Sequence, residues 1–295
     1  MKVVLFYENI TNLDYACLDD QKGVMGNTLK VHLEMTGERD SNGVISDFSE
    51  VKKRVKGIID NLTDHKLIIS EGIAEKTGND FYIKHQFNND FVLEYRCPEE
   101  AVCEIPYAVV NDENLGKFIQ GELEKEMGEN IVGINLILEE EENQNDSVWF
   151  HYTHGLKNHY GNCQRLLHGH RNTVRIFEND KRRCDLEKYL AMEKFSGSVH
   201  FAFYENLVNA KEVMKSVGAS GCCKDIDVVH LRYRGSQGRF ELKIPGELVY
   251  LVFEETSIEN LSVFFHGLLN DKLDKKDQVI VQAFEGIGKG AISRN

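Results

Sequence analysis

The sequence predicts an α+β protein built from two copies of one unit. Several short segments recur at offsets of 145 to 147 residues and keep the same order in both copies. Each copy is predicted to contain two strands, a helix, a β segment, a second helix and a final strand. Strand pairs followed by single helices are typical of antiparallel sheets with helices on one face. Such small sheets leave edge strands open, so edge-to-edge assembly into a β-barrel is expected.

The predicted elements follow from hydrophobic spacing. Apolar residues at helical spacing predict helices, and alternating or β-branched segments predict strands. The predicted helices cover residues 46–61, 115–127 and 261–273, and the predicted strands cover 28–35, 131–138, 173–177 and 279–284. The matched segments are 97–102 with 244–249, 113–115 with 259–261, 134–139 with 280–285, 27–31 with 172–176, and Val3 and Tyr7 with Val148 and Tyr152.

The boundary between the copies is predicted in the acidic stretch 139–146. This stretch has no apolar residue, so it cannot bury surface and is typical of a linker. The prediction is therefore one domain over residues 1–142 and a second over residues 146–295.

Composition excludes several classes of protein. The chain has 295 residues with 35 basic and 48 acidic side chains, a net charge of −13. A field of that sign disfavours non-specific binding to nucleic acid or to an anionic membrane. Residues 1–8 are predicted to form a strand rather than a signal peptide. The seven cysteines lack paired spacing, which favours a reducing cytoplasm over a disulfide framework.

Histidines in the second copy form a candidate metal site. His154 ends a predicted strand, and His168 and His170 begin the next, where alternate residues point to one face. Three imidazole ligands with an open fourth position are typical of catalytic zinc. The alternative is an accidental cluster of surface histidines. The first copy has Asn9 in the place of His154 and residues 23–27 in the place of the other two, so only the second copy is expected to bind metal.

Two further groups are candidates for acid–base chemistry. Cys163 lies five residues before His168, and a thiolate beside a cation could act as nucleophile or base; the alternative is an inert thiol. Cys17, 146 residues earlier, is interpreted as its vestigial counterpart. Asp64-His65 follows the first helix, where the carboxylate could orient an imidazole for general acid work; the alternative is a surface turn. Its counterpart is predicted at 229–230, without the acid.

Carboxylates at the ends of the two final strands are candidate ligand anchors. Glu139 and Glu285 end equivalent predicted strands, and a carboxylate there could accept two hydrogen bonds from an amidine-like N–H pair. Glu139 merges with the acidic linker, whereas Glu285 stands alone before a glycine-rich turn. Glu285 is the favoured anchor, and the choice between the two stays open.

The residues named so far resemble the 6-pyruvoyltetrahydropterin synthase / 6-carboxytetrahydropterin synthase family of the tunnelling fold. Residues 150–156 resemble that family's F-x-x-x-H-x-L strand, and residues 163–170 resemble its C-x-x-L-H-G-H segment with one residue inserted. Residues 257–261 resemble its T-x-E-N-L helix start with Ser in the Thr place, and residues 284–285 resemble the end strand that anchors the pterin. Residues 43–52 resemble its G-x-V-x-D-F-x-x-L-K segment, and residues 62–65 resemble its L-D-H segment, again with one residue inserted.

The resemblance implies a zinc-dependent lyase in two tandem tunnelling-fold domains. It implies Zn²⁺ on the three histidines, Cys163 as base, and Asp64-His65 reaching the same site from the other copy. Glu285 would hold the pterin, with Thr256 and Ser257 lining it. The implied reaction converts 7,8-dihydroneopterin triphosphate to a 6-carboxy- or 6-pyruvoyl-tetrahydropterin with loss of triphosphate, in queuosine or tetrahydrobiopterin biosynthesis, by a cytoplasmic homo-oligomer.

Other functions stay open at this point. One is a related lyase that removes the pterin side chain with the same metal and base, and another is a non-catalytic pterin-binding or scaffold paralogue. Candidate partners for the triphosphate are Arg171, Lys289 and residues 181–183, whose simpler interpretation is a solvated charge run. The segments 78–97 and 179–196 have no predicted role.

Overall fold

The computed structural model describes residues 2–128, 130–142, 147–218, 220–274 and 276–295. Residues 2–142 are called the first half below and residues 147–295 the second half. In the first half the elements are β1 (Val3–Asp19), β2 (Gly23–Gly37), α1 (Phe48–Leu62), β3 (Leu67–Ser70), β4 (Ala74–Thr77), β5 (Asp80–Gln86), β6 (Val92–Pro98), β7 (Val102–Ile105), α2 (Asp112–Glu126) and β8 (Ile131–Glu140).

The second half continues with the same general order of elements. They are β9 (Trp149–His154), β10 (His168–Glu178), β11 (Lys181–Arg182), α3 (Cys184–Lys188), a π-helical turn (Tyr189–Lys194), β12 (Ser198–Phe203), α4 (Ala210–Ser216), β13 (Val228–Gly235), β14 (Gly238–Pro245), β15 (Val249–Val252), α5 (Ile258–Gly267), β16 (Val279–Phe284) and β17 (Gly290–Arg294). Among the helices of the described residues, none is long and apolar enough to cross a membrane.

Three sheets organise these strands. The first half forms a sheet of order β7-β3-β1-β2-β8, and the second half forms one of order β15-β12-β9-β10-β16-β17. The third sheet is shared, because β14 of the second half pairs with β6 of the first in the order β13-β14-β6-β5-β4. Most of the pairings are antiparallel, so the predicted α+β class is confirmed.

The three predicted helices are observed, whereas α3, α4 and the π-helical turn were not predicted. In α1, Val51, Val55 and Ile59 recur at helical spacing and are fully buried, and the Asp47 carboxylate accepts the N–H groups of Ser49 and Glu50 at the N-terminus. Helix α2 overlaps the predicted helix 115–127. Helix α5 overlaps the predicted helix 261–273 but ends at Gly267, earlier than predicted. The predicted strands 28–35, 131–138, 173–177 and 279–284 all lie within observed strands.

The hydrophobic residues form three cores. One lies between the first sheet and helices α1 and α2, and another between the second sheet and helices α3 and α5. The third lies between the halves and includes residues of the shared sheet. The segment 78–97 contains β5 and β6, and the segment 179–196 contains β11, α3 and the π-helical turn. Of the predicted linker, residues 143–146 lie outside the described residues.

The strand registers match the two main sheets residue by residue and correct several of the sequence alignments. Residues 27–31 correspond to 170–174, not to 172–176. Cys17, not Asn9, takes the place of His154, and Cys17 is therefore not the counterpart of Cys163. In the second half, the counterparts of Asp64 and His65 are residues 197 and 198. Residues 229 and 230, predicted earlier as the counterparts, lie in β13 of the shared sheet. Across the first sheet, Val102 pairs with Leu67, Leu67 with Ala16, and Ala16 with Gly26. Across the second sheet, Val249 pairs with His200, His200 with Thr153, and Thr153 with Gly169, so these residues correspond in that order.

The backbones of the two halves lie in close contact at two matched glycines. A Cβ atom on Gly26 would lie 2.0 Å from the carbonyl oxygen of Tyr152 and 2.4 Å from the backbone nitrogen of His170. A Cβ atom on Gly169 would lie 2.6 Å from Cα of Gly26. Only glycine permits this backbone contact, which brings β1 and β2 against β9 and β10.

Candidate metal centre and acid–base site

The three predicted histidine ligands come together on β9 and β10. His154 is the cross-strand partner of His168, and their ring centroids are 4.4 Å apart. His170, two residues further along β10, completes a group whose candidate ligand atoms lie within 4.8 Å of one another. All three side chains are buried, with at most 1 % exposure. These three histidines are therefore not surface residues.

Each of these three rings has a buried Nε2 atom available for a cation. The Nδ1 atom of His154 donates to the carbonyl of Thr256, and that of His168 donates to the carbonyl of Arg165, each at 2.7 Å. The Nε2 atoms of all three histidines are buried without a hydrogen-bond partner. Unpaired buried nitrogens are costly, and neutral imidazoles held by a bond on the other nitrogen are typical metal ligands.

Electrostatics keep two of these rings neutral. Burial and the neighbouring histidines hold the pKa of His154 and His168 well below the usual value. A neutral imidazole offers its lone pair to a metal. Three buried imidazole nitrogens that lie within 4.8 Å of one another fit Zn²⁺.

The acid–base candidates lie beside this cluster. The ring of His65 stacks on the ring of His168 with centroids 5.1 Å apart. The Sγ atom of Cys163, a ring nitrogen of His65 and a ring nitrogen of His168 all lie within 4.8 Å of one another. Residues of the first half and of the second half thus line one site.

Asp64 and its surroundings fix the orientation of His65. The Asp64 carboxylate is 2.6 Å from Nδ1 of His65. Burial alone would lower the pKa of His65, but Asp64 and Cys163 together raise it to about 10. His65 has a φ of 55°, a left-handed conformation that is uncommon outside glycine and is often found at functional sites. The Arg165 guanidinium donates to the carbonyls of Asp64 and His65 at 3.2 and 3.4 Å.

Comparison with known protein families gives one match. The family model of 6-pyruvoyl tetrahydropterin synthase matches residues 13–149, which is less than half of the chain. No protein of curated function matches the chain.

Solved structures of 6-pyruvoyl tetrahydropterin synthases also match. The Plasmodium vivax enzyme is 19 % identical, with a TM-score of 0.40 over 49 % of this chain and 94 % of that one. The Plasmodium falciparum enzyme is 21 % identical, with a TM-score of 0.37 over 46 % of this chain and 90 % of that one.

The match to the synthase family covers only part of the candidate site. It includes Asp64 and His65 but ends at residue 149, before Cys163 and the three histidines. In the first half, the matched register puts Cys17, Met25 and Asn27 at the places of the three histidine ligands. The Asn27 amide donates to Cys17 Sγ at 3.5 Å, so these side chains satisfy one another.

The three residues predicted to bind the pterin differ from one another in their surroundings. Glu285 directly follows β16, is partly buried, and lies close enough to influence the pKa of Tyr152 and Lys289. Thr256 is buried and holds His154 through its carbonyl. The Ser257 hydroxyl accepts the N–H of Asn260 and caps α5. Thr256 and Ser257 are therefore explained by ligand orientation and helix capping.

Glu139 lies elsewhere, which corrects its pairing with Glu285. It is 3.1 Å from His32 on neighbouring β2 and is largely exposed. The register makes Glu140, which pairs with Leu29, the counterpart of Glu285. Glu140 in turn contacts Arg171 at 3.1 Å.

The basic side chains predicted for the triphosphate have protein partners. Arg182 pairs with buried Glu187 at 2.8 Å, and Arg183 pairs with Glu178 and Asp185. Arg171 stacks over Trp149 at 3.9 Å, and Lys289 lies 3.3 Å from Asp14. Arg182 and Arg183 therefore lie in ion pairs within the protein, which differs from the solvated charge run given as the simpler interpretation.

Sequence reasoning missed Asp14. This residue lies on β1 with 3 % exposure, and its Oδ1 atom is 3.1 Å from Nδ1 of His170. The available signal was an acid between the apolar residues Leu13 and Tyr15. That signal marks a buried charge but does not name its partner.

Proposed function

We propose that the chain is a zinc-dependent pterin synthase whose site is composed of both halves. The observation that carries this proposal is the meeting of three unpartnered imidazole nitrogens of the second half with the Asp64-His65 pair of the first. The substrate would be 7,8-dihydroneopterin triphosphate, and the product a 6-substituted tetrahydropterin formed with loss of triphosphate. The match of residues 13–149 to the family model of 6-pyruvoyl tetrahydropterin synthase supports this substrate class.

His154, His168 and His170 would hold the zinc ion. When bound, zinc supplies Lewis-acid polarisation of substrate oxygens. The Cys163 thiol is positioned to exchange a proton with one side of a bound side chain. His65, held protonated by Asp64, is positioned to donate a proton from another side. Glu285 would accept hydrogen bonds from the pterin ring.

The same proposal includes a tandem duplication, with domains over residues 1–142 and 146–295. The shared strand order of the two main sheets supports it. So does the contact between matched residues Gly26 and Gly169. In this view each half has kept a different part of the chemistry: the first the acid–base pair, the second the metal ligands and the thiol.

Product analysis tests the composite site. Purified chain is incubated with 7,8-dihydroneopterin triphosphate, and pterin products and released triphosphate are quantified. His65→Ala and Cys163→Ala should each lower turnover by about 10²- to 10⁴-fold, the range for a lost general acid or base, while zinc content stays unchanged. The pterin product distinguishes a synthase from a side-chain lyase.

His159→Ala is the matched control, because His159 is an exposed histidine of the same half and should keep full activity. Full turnover by His65→Ala would disprove the composite site even with zinc present. Binding of the pterin by a zinc-free wild-type chain without turnover would favour the non-catalytic paralogue.

We also propose that the chain forms a cytoplasmic homo-oligomer through sheet edges. Strands β8 and β17 end their sheets, and their side chains Ile137 and Ile292 are about half exposed. All seven cysteines are free thiols, as a reducing compartment requires. Light scattering should give a mass that is a multiple of 33.8 kDa.

Ile137→Lys should shift the oligomer towards smaller species, because it places a charge on the open edge. Val263→Lys, at an exposed apolar position of α5, should leave the mass unchanged. A wild-type mass of one chain would contradict the proposal.

A further inference from the structure

Asp14 places a carboxylate beside one of the three histidines of the candidate metal site. Its carboxylate is 3.1 Å from Nδ1 of His170, close enough for an ion pair but not aligned as a hydrogen bond. His154 and His168 instead contact neutral carbonyls of their own half. The partner of His170 comes from the other half of the chain.

The surroundings of Asp14 hold its carboxylate in place. The Thr28 hydroxyl donates to Oδ1 at 2.6 Å, and the Lys289 ammonium donates to Oδ2 at 3.3 Å. These two bonds hold the buried carboxylate in one orientation.

The backbone of the same residue holds the acid–base pair. The Asp14 N–H donates to Oδ1 of Asp64 at 3.0 Å, and the Asp14 carbonyl accepts the N–H of His65 at 2.6 Å. One residue of β1 therefore contacts the metal ligand through its side chain and the Asp64-His65 pair through its main chain. The distance between His170 and the Asp64-His65 pair therefore depends on the position of β1.

We propose that Asp14 is a positioning residue that orients His170 for zinc and sets the Asp64-His65 pair at a fixed place beside it. A carboxylate on the second nitrogen fixes the tautomer of a ligand histidine and makes it a stronger donor. The zinc part of this inference rests on the proposed function. The first half would thus contribute to metal affinity although it offers no metal ligand of its own.

Zinc affinity of the full-length chain, measured by competition with a chromophoric chelator, tests this role. Asp14→Asn keeps the volume and the backbone contacts but removes the charge, so it should weaken zinc binding by about 10- to 100-fold. Asp14→Ala should weaken it further. Thermal unfolding checks that both fold, and if the alanine variant does not, the asparagine variant carries the test.

Two controls separate positioning from a general structural role. Asp112→Asn changes another partly buried carboxylate of the first half, bonded to Tyr15, and should leave zinc affinity unchanged. In a His170→Gln background, Asp14→Asn should cause no further loss, because its effect passes through that ring. A merely structural role would give equal losses in both backgrounds.

Wild-type zinc affinity in Asp14→Asn would overturn the role of Asp14 and leave the proposed function intact. A wild-type chain that binds no zinc would overturn the proposed metal site and this inference together.

Discussion

Replacing His168 with alanine should remove zinc from the chain and abolish turnover of 7,8-dihydroneopterin triphosphate. His168 is central to the site, since it pairs with His154 across the strands and stacks on His65. Loss of one of three protein ligands should weaken zinc binding more than about 100-fold, beyond the effect of losing an outer-shell partner. Elemental analysis after gel filtration and chelator competition measure this effect.

A second group of possible metal ligands has to be distinguished from the three histidines. His65, Cys163 and His168 also lie close enough to hold a metal. Cobalt substitution distinguishes the two sites, because a cysteine ligand adds a thiolate-to-metal absorption band that an all-histidine site lacks. We expect no such band, and zinc content in Cys163→Ser should equal that of wild type. A His168→Ala chain that retains one tightly bound zinc would contradict the three-histidine site.

The grouping of two of the three candidate metal ligands could be predicted because it depends on local structure. His168 and His170 are two residues apart on a strand, so they share a face wherever that strand lies. Thr256 and Arg165, which orient His154 and His168 through backbone carbonyls, could not be predicted from residue type. A backbone carbonyl is available at every residue, and only the fold decides which one meets a ring.

The alignment of the first strands was wrong because the two halves differ in one connection. Residues 155–167 separate β9 from β10, whereas only residues 20–22 separate β1 from β2. Cys163 lies in this longer connection. A constant offset cannot follow a change in loop length, and in a strand a shift of one residue moves a side chain to the other face.

Asp14 shows a different limit of sequence reasoning. Its contact with His170 joins residues that are far apart in the chain and in different sheets. The contact exists because the sheets cross at Gly26 and Gly169. Small residues in strands indicate close backbone approach, but the sequence does not show what approaches.

Alanine at position 26 should therefore destabilise the chain strongly. Its Cβ atom would lie 2.0 Å from the Tyr152 carbonyl oxygen and 2.4 Å from the His170 nitrogen. Both are backbone atoms of paired strands, which cannot yield singly as a side-chain tip can. The free energy of unfolding should fall by about 3 kcal/mol or more. Urea unfolding followed by circular dichroism measures this loss.

Gly57→Ala is the matched control, since a Cβ atom there meets nothing within 4 Å and the residue lies inside α1. That variant should be more stable than wild type by up to about 1 kcal/mol. Where Gly26→Ala still folds, its zinc affinity should also fall, because β2 pairs with the strand that carries Asp14. A Gly26→Ala chain with wild-type stability and zinc affinity would mean that the halves do not meet at this glycine, and the composite site would lose its physical basis.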